Sequence, residues 1–469
     1  MKTNNLSFLL ISIAFFLSAC STPPERIIKY TTNDNGVIEF TDGKFGEAKL
    51  VSNKFNKKEQ CFFAKFDKEL TVIGKEAFLN KSALTSITIP NSVTSIEDDA
   101  FSGCSRLTSI VIPNSVTSIG VSAFNGCSGL TSITISNGVT SIGENTFRGC
   151  SGLTSIEIPN SVTSIGESAF SGCSRLTSIV IPNSVISIGV SAFNGCSGLT
   201  SITISNGVTS IGENTFRGCS GLTSIEIPNS ITSIGESAFY GCSRLKSITI
   251  PGSVKSIGNY AFNGCTSLKH LCIEDGEDKL YLGYNEHIND DCGLGLFTDS
   301  PLETLYLGRE LSYKSYREYI HSPFIMITTL TSVTIGAGVK NIGDYAFFGD
   351  ENLADVKIPY SVKNIGYLAF GGCKALTSID LSGSVEKIED AAFQGCTGLV
   401  SIDIPNVTSI GGGAFSGCES LANVENADNV MNIGDVAFYG CSKLKSVSIS
   451  KYARLGYWVF DRNTKVYRK

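Results

Sequence analysis

The sequence predicts a repeat solenoid, α/β to mainly β, built from short parallel strands with one helical or 3₁₀ turn per coil. Three observations predict it. A phenylalanine recurs every 23 residues, at Phe78, Phe101, Phe124, Phe147, Phe170, Phe193, Phe216, Phe239 and Phe262. The beat returns at Phe347, Phe370, Phe393, Phe415, Phe438 and Phe460, with two gaps of 22. The phenylalanines sit in a unit built around Ile-Gly-x-x-Ala-Phe-x-Gly-Cys, with departures in several coils. A fixed period in the twenties marks an architecture in which each coil touches only its neighbours.

One coil, residues 107–127, shows how the elements follow. Leu107, Ile110 and Ile112 have the spacing that turns the apolar side of a short strand inward. Ser109 and Val111 then face out. Pro113 ends the strand, because it cannot donate to a ladder. Val116 and Ile119 suggest a second short extended segment, and Gly120 marks a turn. Ala123, Phe124 and Cys127 are expected to pack a helical or 3₁₀ turn against the coil. Stacked coils lie about 4.8 Å apart, so seventeen phenylalanine marks give a rod of roughly 80 Å.

The unit Leu-Thr-Ser-Ile-x-Ile-Pro-x-Ser-Val-x-x-Ile-Gly-x-x-Ala-Phe-x-Gly-Cys resembles the BspA-like bacterial leucine-rich repeat, over residues 70–460. The resemblance implies a right-handed leucine-rich-repeat rod. It also implies a cell-surface location and adhesion to host matrix proteins or other bacteria. It brings no catalytic residues.

Segment 102–170 returns as 171–239 with two changes, Thr117 to Ile186 and Val162 to Ile231. A three-coil cassette has been duplicated. Whole-coil duplication preserves the stack, which suits a display rod better than an enzyme.

The ends read differently. Residues 1–20 have a short positive start, an apolar run from Leu6 to Leu17, and Leu17-Ser18-Ala19-Cys20. This is a secretory signal. Its ending resembles a lipobox, which implies acylation of Cys20 and anchoring in a bacterial outer membrane; no acidic run after Cys20 marks surface export, so exposure at the surface rests on the family resemblance. An ordinary cleaved signal with a chance cysteine is the alternative. Residues 21–70 form a tether and an N-terminal cap, with strands expected at 37–40 and 61–66. Regular repeats occupy 71–269 and 327–449. Residues 450–469, with Trp458 and a basic tail, close the far end as a C-terminal cap.

Sixteen cysteines are present. Twelve lie three residues after their phenylalanine: Cys104, Cys127, Cys150, Cys173, Cys196, Cys219, Cys242, Cys265, Cys373, Cys396, Cys418 and Cys441. An exported chain invites a disulfide reading. Pairing alternate rungs would break the even spacing, so buried thiols acting as small apolar groups are favoured. No Cys-x-x-Cys pair suggests a metal, and a linear ladder is not tetrahedral.

Residues 270–326 break the beat. Phe297 and Phe324 are expected to carry it through two coils with longer loops. Cys272 and Cys292 could bridge a loop. All three histidines lie here, His270, His287 and His321, beside a run of acidic residues. The acidic spacing does not match an EF-hand loop. Tyr281, Tyr284, Tyr306, Tyr313, Tyr316 and Tyr319 form a candidate binding patch, since tyrosine is enriched at interfaces and loops on rigid scaffolds carry recognition. Drift in repeat length, with solvated charges and tyrosines shielding the widened coils, is the alternative.

Function reads as binding or adhesion toward an extracellular protein or glycan, with a structural spacer as the alternative. The competing binding surface is the exposed strand face, Thr88, Val111, Thr134, Glu157, Val180, Thr203, Glu226 and Thr249 beside a row of serines. No enzyme motif is present, whether His-Glu-x-x-His, Gly-x-Ser-x-Gly or a phosphate-binding loop, and no cofactor is implied. A pI near 5.4 argues against nucleic acid as a partner.

Overall fold

The computed structural model describes residues 25–283, 296–297, 299–313 and 322–469. The predicted signal and Cys20 therefore lie outside the described residues. So do Cys292, His287, His321, Tyr284, Tyr316 and Tyr319.

The chain winds into a solenoid held by backbone ladders running along its length. In the longer sheet, Ser86, Ser109 and Ser132 pair in parallel register, as do Thr88, Val111 and Thr134. The same register continues through Ser247, His270, Thr304, Ser332 and Asp355. A second ladder uses two-residue strands, such as Ser141–Ile142 against Ser164–Ile165 and Ser187–Ile188. The inward positions of one coil are Leu107, Ile110, Ile112, Val116, Ile119, Ala123, Phe124 and Cys127. None of them is more than 7 % exposed.

The third side differs from the helical or 3₁₀ turn expected. Among the described residues the only helix is a 3₁₀ turn at Ala427–Asn429. The Gly-x-x-Ala-Phe-x-Gly-Cys segment is instead a run of tight turns whose amides alternate between two partners. The amides of Ser122, Phe124 and Gly126 donate to Glu144, Thr146 and Arg148 of the next coil, at 2.7–2.9 Å. Those of Ala123, Asn125 and Cys127 donate three residues back within their own coil. The alternation is possible because the chain turns left-handed on both sides of the phenylalanine, here at Ser122 (φ 56°) and Gly126 (φ 70°). A helix needs right-handed dihedrals throughout, so these residues cannot form one. Gly120 is required for a different reason: a Cβ there would lie 2.5 Å from the Asp98 nitrogen of the previous coil.

The phenylalanines form one unbroken stack from Phe78 to Phe460. Successive rings lie 5.0–6.1 Å apart and within 21° of parallel. Phe297 and Phe324 hold their places in it, so the beat survives the irregular segment. Phe40 and Phe45 meet Phe78 edge-on and end the stack.

At the N-terminus, β1 (Ile27–Thr32), β2 (Leu50–Asn56) and β3 (Cys61–Phe66) form an antiparallel sheet in the order β2-β3-β1. Strand β1 pairs antiparallel with Leu84–Thr88 and so gives the edge of the long sheet a partner. Residues 37–40 are not a strand, contrary to their alternating pattern. The Ile38 amide donates to the Tyr30 hydroxyl at 3.0 Å and its carbonyl accepts from the Asn53 amide at 2.7 Å. Side chains thus replace a ladder.

The twelve ladder cysteines are buried free thiols. Each Sγ donates to the phenylalanine carbonyl of the preceding coil, as Cys104 does to Phe78 and Cys127 to Phe101, at 3.1 Å. Burial pushes the Cys104, Cys196 and Cys265 thiols up to about 12. Ser300 fills one rung and makes the same bond, to Phe262 at 3.2 Å. Asp350 fills another and is fully buried. Its Oδ1 accepts from the Ile327 amide at 2.7 Å, while Oδ2 has no partner. Burial pushes its carboxyl up to about 8. The next rung, Cys373, is the titratable side chain facing it.

Two predictions follow from this packing. Phe193 lies fully buried between Phe170 and Phe216, so Phe193→Ala should cost about 3–5 kcal/mol through lost burial and a residual cavity. An unchanged urea-unfolding curve would place the ring outside the core. Asp350 keeps a proton at neutral pH that the unfolded chain releases near pH 4. Stability of its coils should therefore fall as pH rises from about 4 to about 8 and level off outside that window. Asp350→Asn should remove the slope and raise stability at pH 8 by about 2–5 kcal/mol, read from unfolding midpoints at pH 5 and pH 8.

Candidate functional site

The strand face is an exposed, regular surface. Its isoleucines point inward, so the residues between them are presented outward: Val111 is 60 % and Val180 64 % exposed. Threonine hydroxyls at the strand starts are consumed within the rod. Thr108, Thr131 and Thr200 each donate to the threonine carbonyl one coil back, at 3.0–3.1 Å. The serine row and the column beside it remain open to a ligand.

Between Ser155 and Glu274 this face forms a groove of about 1580 Å³. Glu157, Val180, Thr203, Glu226 and Thr249 line it from successive strands, and Asn160, Asn183, Asn206 and Asn229 line it beyond the strand ends. Glu157 and Glu226 are equivalent positions of the two cassette copies. They stand three coils apart, roughly 16 Å at the ring steps of 5.4–5.7 Å seen here. Neither carboxylate enters an ion pair among the described residues.

The irregular segment abuts the end of this groove, since Glu274 lines it. Arg309 ties the segment down. Its guanidinium is buried and donates from Nη1 to the Gly252 carbonyl at 2.8 Å and from Nη2 to the Pro251 carbonyl at 2.9 Å. Burial disfavours its charge, which Asp278 and Glu274 help to hold. Of the described acidic residues, Asp275 accepts from the Tyr306 hydroxyl at 3.1 Å, and Asp278 pairs with Lys255 at 3.7 Å. Among the described residues no group of three or more His, Cys, Asp or Glu side chains is placed to hold a metal ion. His270 shares a 2.9 Å hydrogen bond with Thr304. Cys272 is a half-buried thiol on the strand face, and its expected partner Cys292 lies outside the described residues.

The described tyrosines do not form one patch. Tyr306 sits on the long sheet, opposite Cys272 and Thr334. Tyr281 sits on the short-strand ladder, opposite Ser256, and is 51 % exposed. Tyr313 turns inward and donates to the Asp344 carbonyl at 3.0 Å, and burial raises its hydroxyl pKa. Of these three, Tyr281 alone presents an exposed ring. Sequence reasoning missed Arg309, for which no pattern gives a signal. It also missed Asp350, which was visible as the one acidic residue at a cysteine rung.

Among the described residues no helix is long and apolar enough to cross a membrane. The family described as BspA type leucine rich repeat region matches residues 71–200, 163–284, 318–445 and 399–468. No curated protein sequence matches the chain. A leucine-rich repeat protein from Bacteroides ovatus is 29 % identical, covering 89 % of this chain and 98 % of its own, with a TM-score of 0.53. A leucine rich cell surface protein from Faecalibacterium prausnitzii is 26 % identical, covering 84 % and 95 %, with a TM-score of 0.33. The T. pallidum leucine rich repeat protein is 28 % identical, covering 44 % and 91 %, with a TM-score of 0.35.

Proposed function

Because the chain belongs to the BspA-type leucine-rich-repeat family, we propose that it is an exported binding or adhesion protein, lipid-anchored through Cys20 in a bacterial outer membrane and displayed at the cell surface. Its ligand is an extracellular protein or glycan, on host matrix or on other cells. The observation that carries this reading is the groove over the last coil of the first cassette copy and the whole of the second, where Glu157 and Glu226 present one outward position twice in fixed register. A ligand with its own repeat can engage both copies, and the second contact is then intramolecular, so avidity multiplies a weak affinity. Tyr281, exposed on the short-strand ladder, supplies a second recognition element, and Tyr284, Tyr316 and Tyr319 are proposed as further ligand contacts. The scaffold does no chemistry in this reading. A spacer without a selective ligand is the second reading, favoured by the same duplication, because added coils lengthen the rod without changing its surface.

Two experiments test the proposal. Wild-type protein in its native envelope should take up labelled fatty acid, and Cys20→Ser should lose both the label and the anchoring. Label-free mature protein would remove the anchor. In a binding screen against matrix proteins and glycans, Glu157→Gln with Glu226→Gln, or deletion of 171–239, should weaken binding of a repetitive ligand far more than Glu157→Gln alone. If Tyr281→Ala abolishes binding while these variants leave it intact, recognition belongs to the loops. A screen without any ligand favours the spacer.

A further inference from the structure

The C-terminal coil departs in charge and surface from the rod before it. Residues 443–469 hold eight Lys and Arg and one acidic residue, Asp461, in a chain whose net charge is −6. All eight cations are exposed. The fold uses some of them. Arg468 Nη1 donates to the Lys451 and Ala453 carbonyls at 3.1 and 3.0 Å, Lys445 donates to the Ser442 carbonyl, and Lys469 lies 3.7 Å from Asp428. No ion pair among the described residues reaches Lys443, Lys451, Arg454, Arg462 or Lys465. Nearby carboxylates are turned to backbone: Asp461 accepts from the Gly440 amide at 2.9 Å and Asp435 from the Tyr457 amide at 2.6 Å.

Exposed aromatic residues alternate with these cations along the chain. Tyr457 is 77 %, Trp458 66 % and Tyr439 53 % exposed. The Val436 amide donates to the Tyr457 carbonyl at 2.8 Å, and the Tyr439 amide to the Val436 carbonyl at 3.1 Å. The three residues therefore belong to the turn strip of two adjacent coils. Arg454 precedes the pair Tyr457–Trp458 by three residues, on the last short strand (Arg454–Leu455), and Arg462 follows it by four.

The geometry points to a docking surface for a sulfated polysaccharide. A guanidinium is weakly hydrated, and its planar fork matches an oxyanion with two parallel hydrogen bonds. Exposed tyrosine and tryptophan rings offer a flat apolar face with a polar edge, which suits the face of a sugar ring between two sulfates. Clustered Lys and Arg draw a polyanion by long-range attraction, and the acidic coils that precede them keep that attraction off the middle of the rod. A bilayer fits less well. The exposed aliphatic side chains of this coil are Leu455 and Val466, each only 37 % exposed, too little apolar area to enter a headgroup layer.

The test uses the full chain carrying Cys20→Ser, so that no acyl group forms at that position, with heparin as the probe. Heparin should bind at low salt and release as salt rises. Trp458→Asn, which keeps the net charge and tolerates the positive φ of 56° at that site, should weaken binding about five- to tenfold. Arg454→Ser with Arg462→Ser should weaken it further and lower the slope of log affinity against log salt by about 2. Glu157→Gln with Glu226→Gln should leave heparin binding intact, so the groove and this surface stand or fall separately. Equal binding of desulfated heparin, equally tight binding of duplex DNA, binding of anionic vesicles without heparin, or full binding by both variants would each overturn the assignment.

Discussion

The structure depends on closure: every coil must return the chain to a point one strand spacing above where it began, in the same rotational register. A 23-residue coil cannot bury its own apolar side, so its core is completed only by the coils above and below. Register is what makes that burial cumulative. It places Phe124 over Phe101 and Ile133 beside Ile110. It also explains which positions admit little variation. At Gly120 a side chain would strike the coil behind, and after each phenylalanine a left-handed residue must let the amides alternate between coils. The cost of that turn is visible where another residue type stands before the phenylalanine, as at Val436 (φ 52°) and Leu368 (φ 51°). A β-branched side chain in that region is strained. The neighbouring coils hold it there.

The same constraint decides what the sequence reveals. Features that repeat once per coil were legible, because a residue seen at one position is seen a dozen times. The phenylalanine stack, the thiol ladder and the outward strand column belong to this class. Phe297 and Phe324 were legible despite intervals of 35 and 27 residues, because only their place in the stack was needed. The turn strip was misread as a helical turn because apolar spacing alone does not distinguish a helical turn from tight turns that bond across coils. Residues 37–40 were misread because alternation fits a strand, while the partners of Ile38 are a tyrosine hydroxyl and an asparagine amide from distant segments. The described members of the tyrosine cluster are close in sequence and apart in space. Tyr281, Tyr306 and Tyr313 fall on a short-strand rung, a long-strand rung and an inward turn.

Asp350 belongs to a third class, a departure readable only after the rule is known. Every thiol at this rung donates to the carbonyl of a neighbouring coil, so most rungs call for a small side chain able to donate, while Ile327, three residues after Phe324, departs from that rule. Serine meets the demand at Ser300. Asp350 instead accepts from the Ile327 amide and leaves Oδ2 without a partner, and burial favours its protonated form, which couples this rung to pH.

A solenoid also separates functions by how they scale. Residues of the strand face are multiplied whenever a cassette is copied, because register carries each outward side chain to an equivalent place three coils on. Glu157 and Glu226 are such a pair. The C-terminal coil is not multiplied by that event, since duplication between 102 and 239 leaves Arg454, Tyr457, Trp458 and Arg462 in single copy. In the proposed reading, coil number tunes the affinity of the groove for an extended partner and the reach of the tip, but not the tip's own affinity. Opposite charge keeps the two surfaces distinct: carboxylates line the groove, and cations crowd the tip. A polyanion attracted to the end is repelled along the face. The near identity of the cassettes is then compatible with selection on length and valency together, while the chemistry of the last coil varies independently.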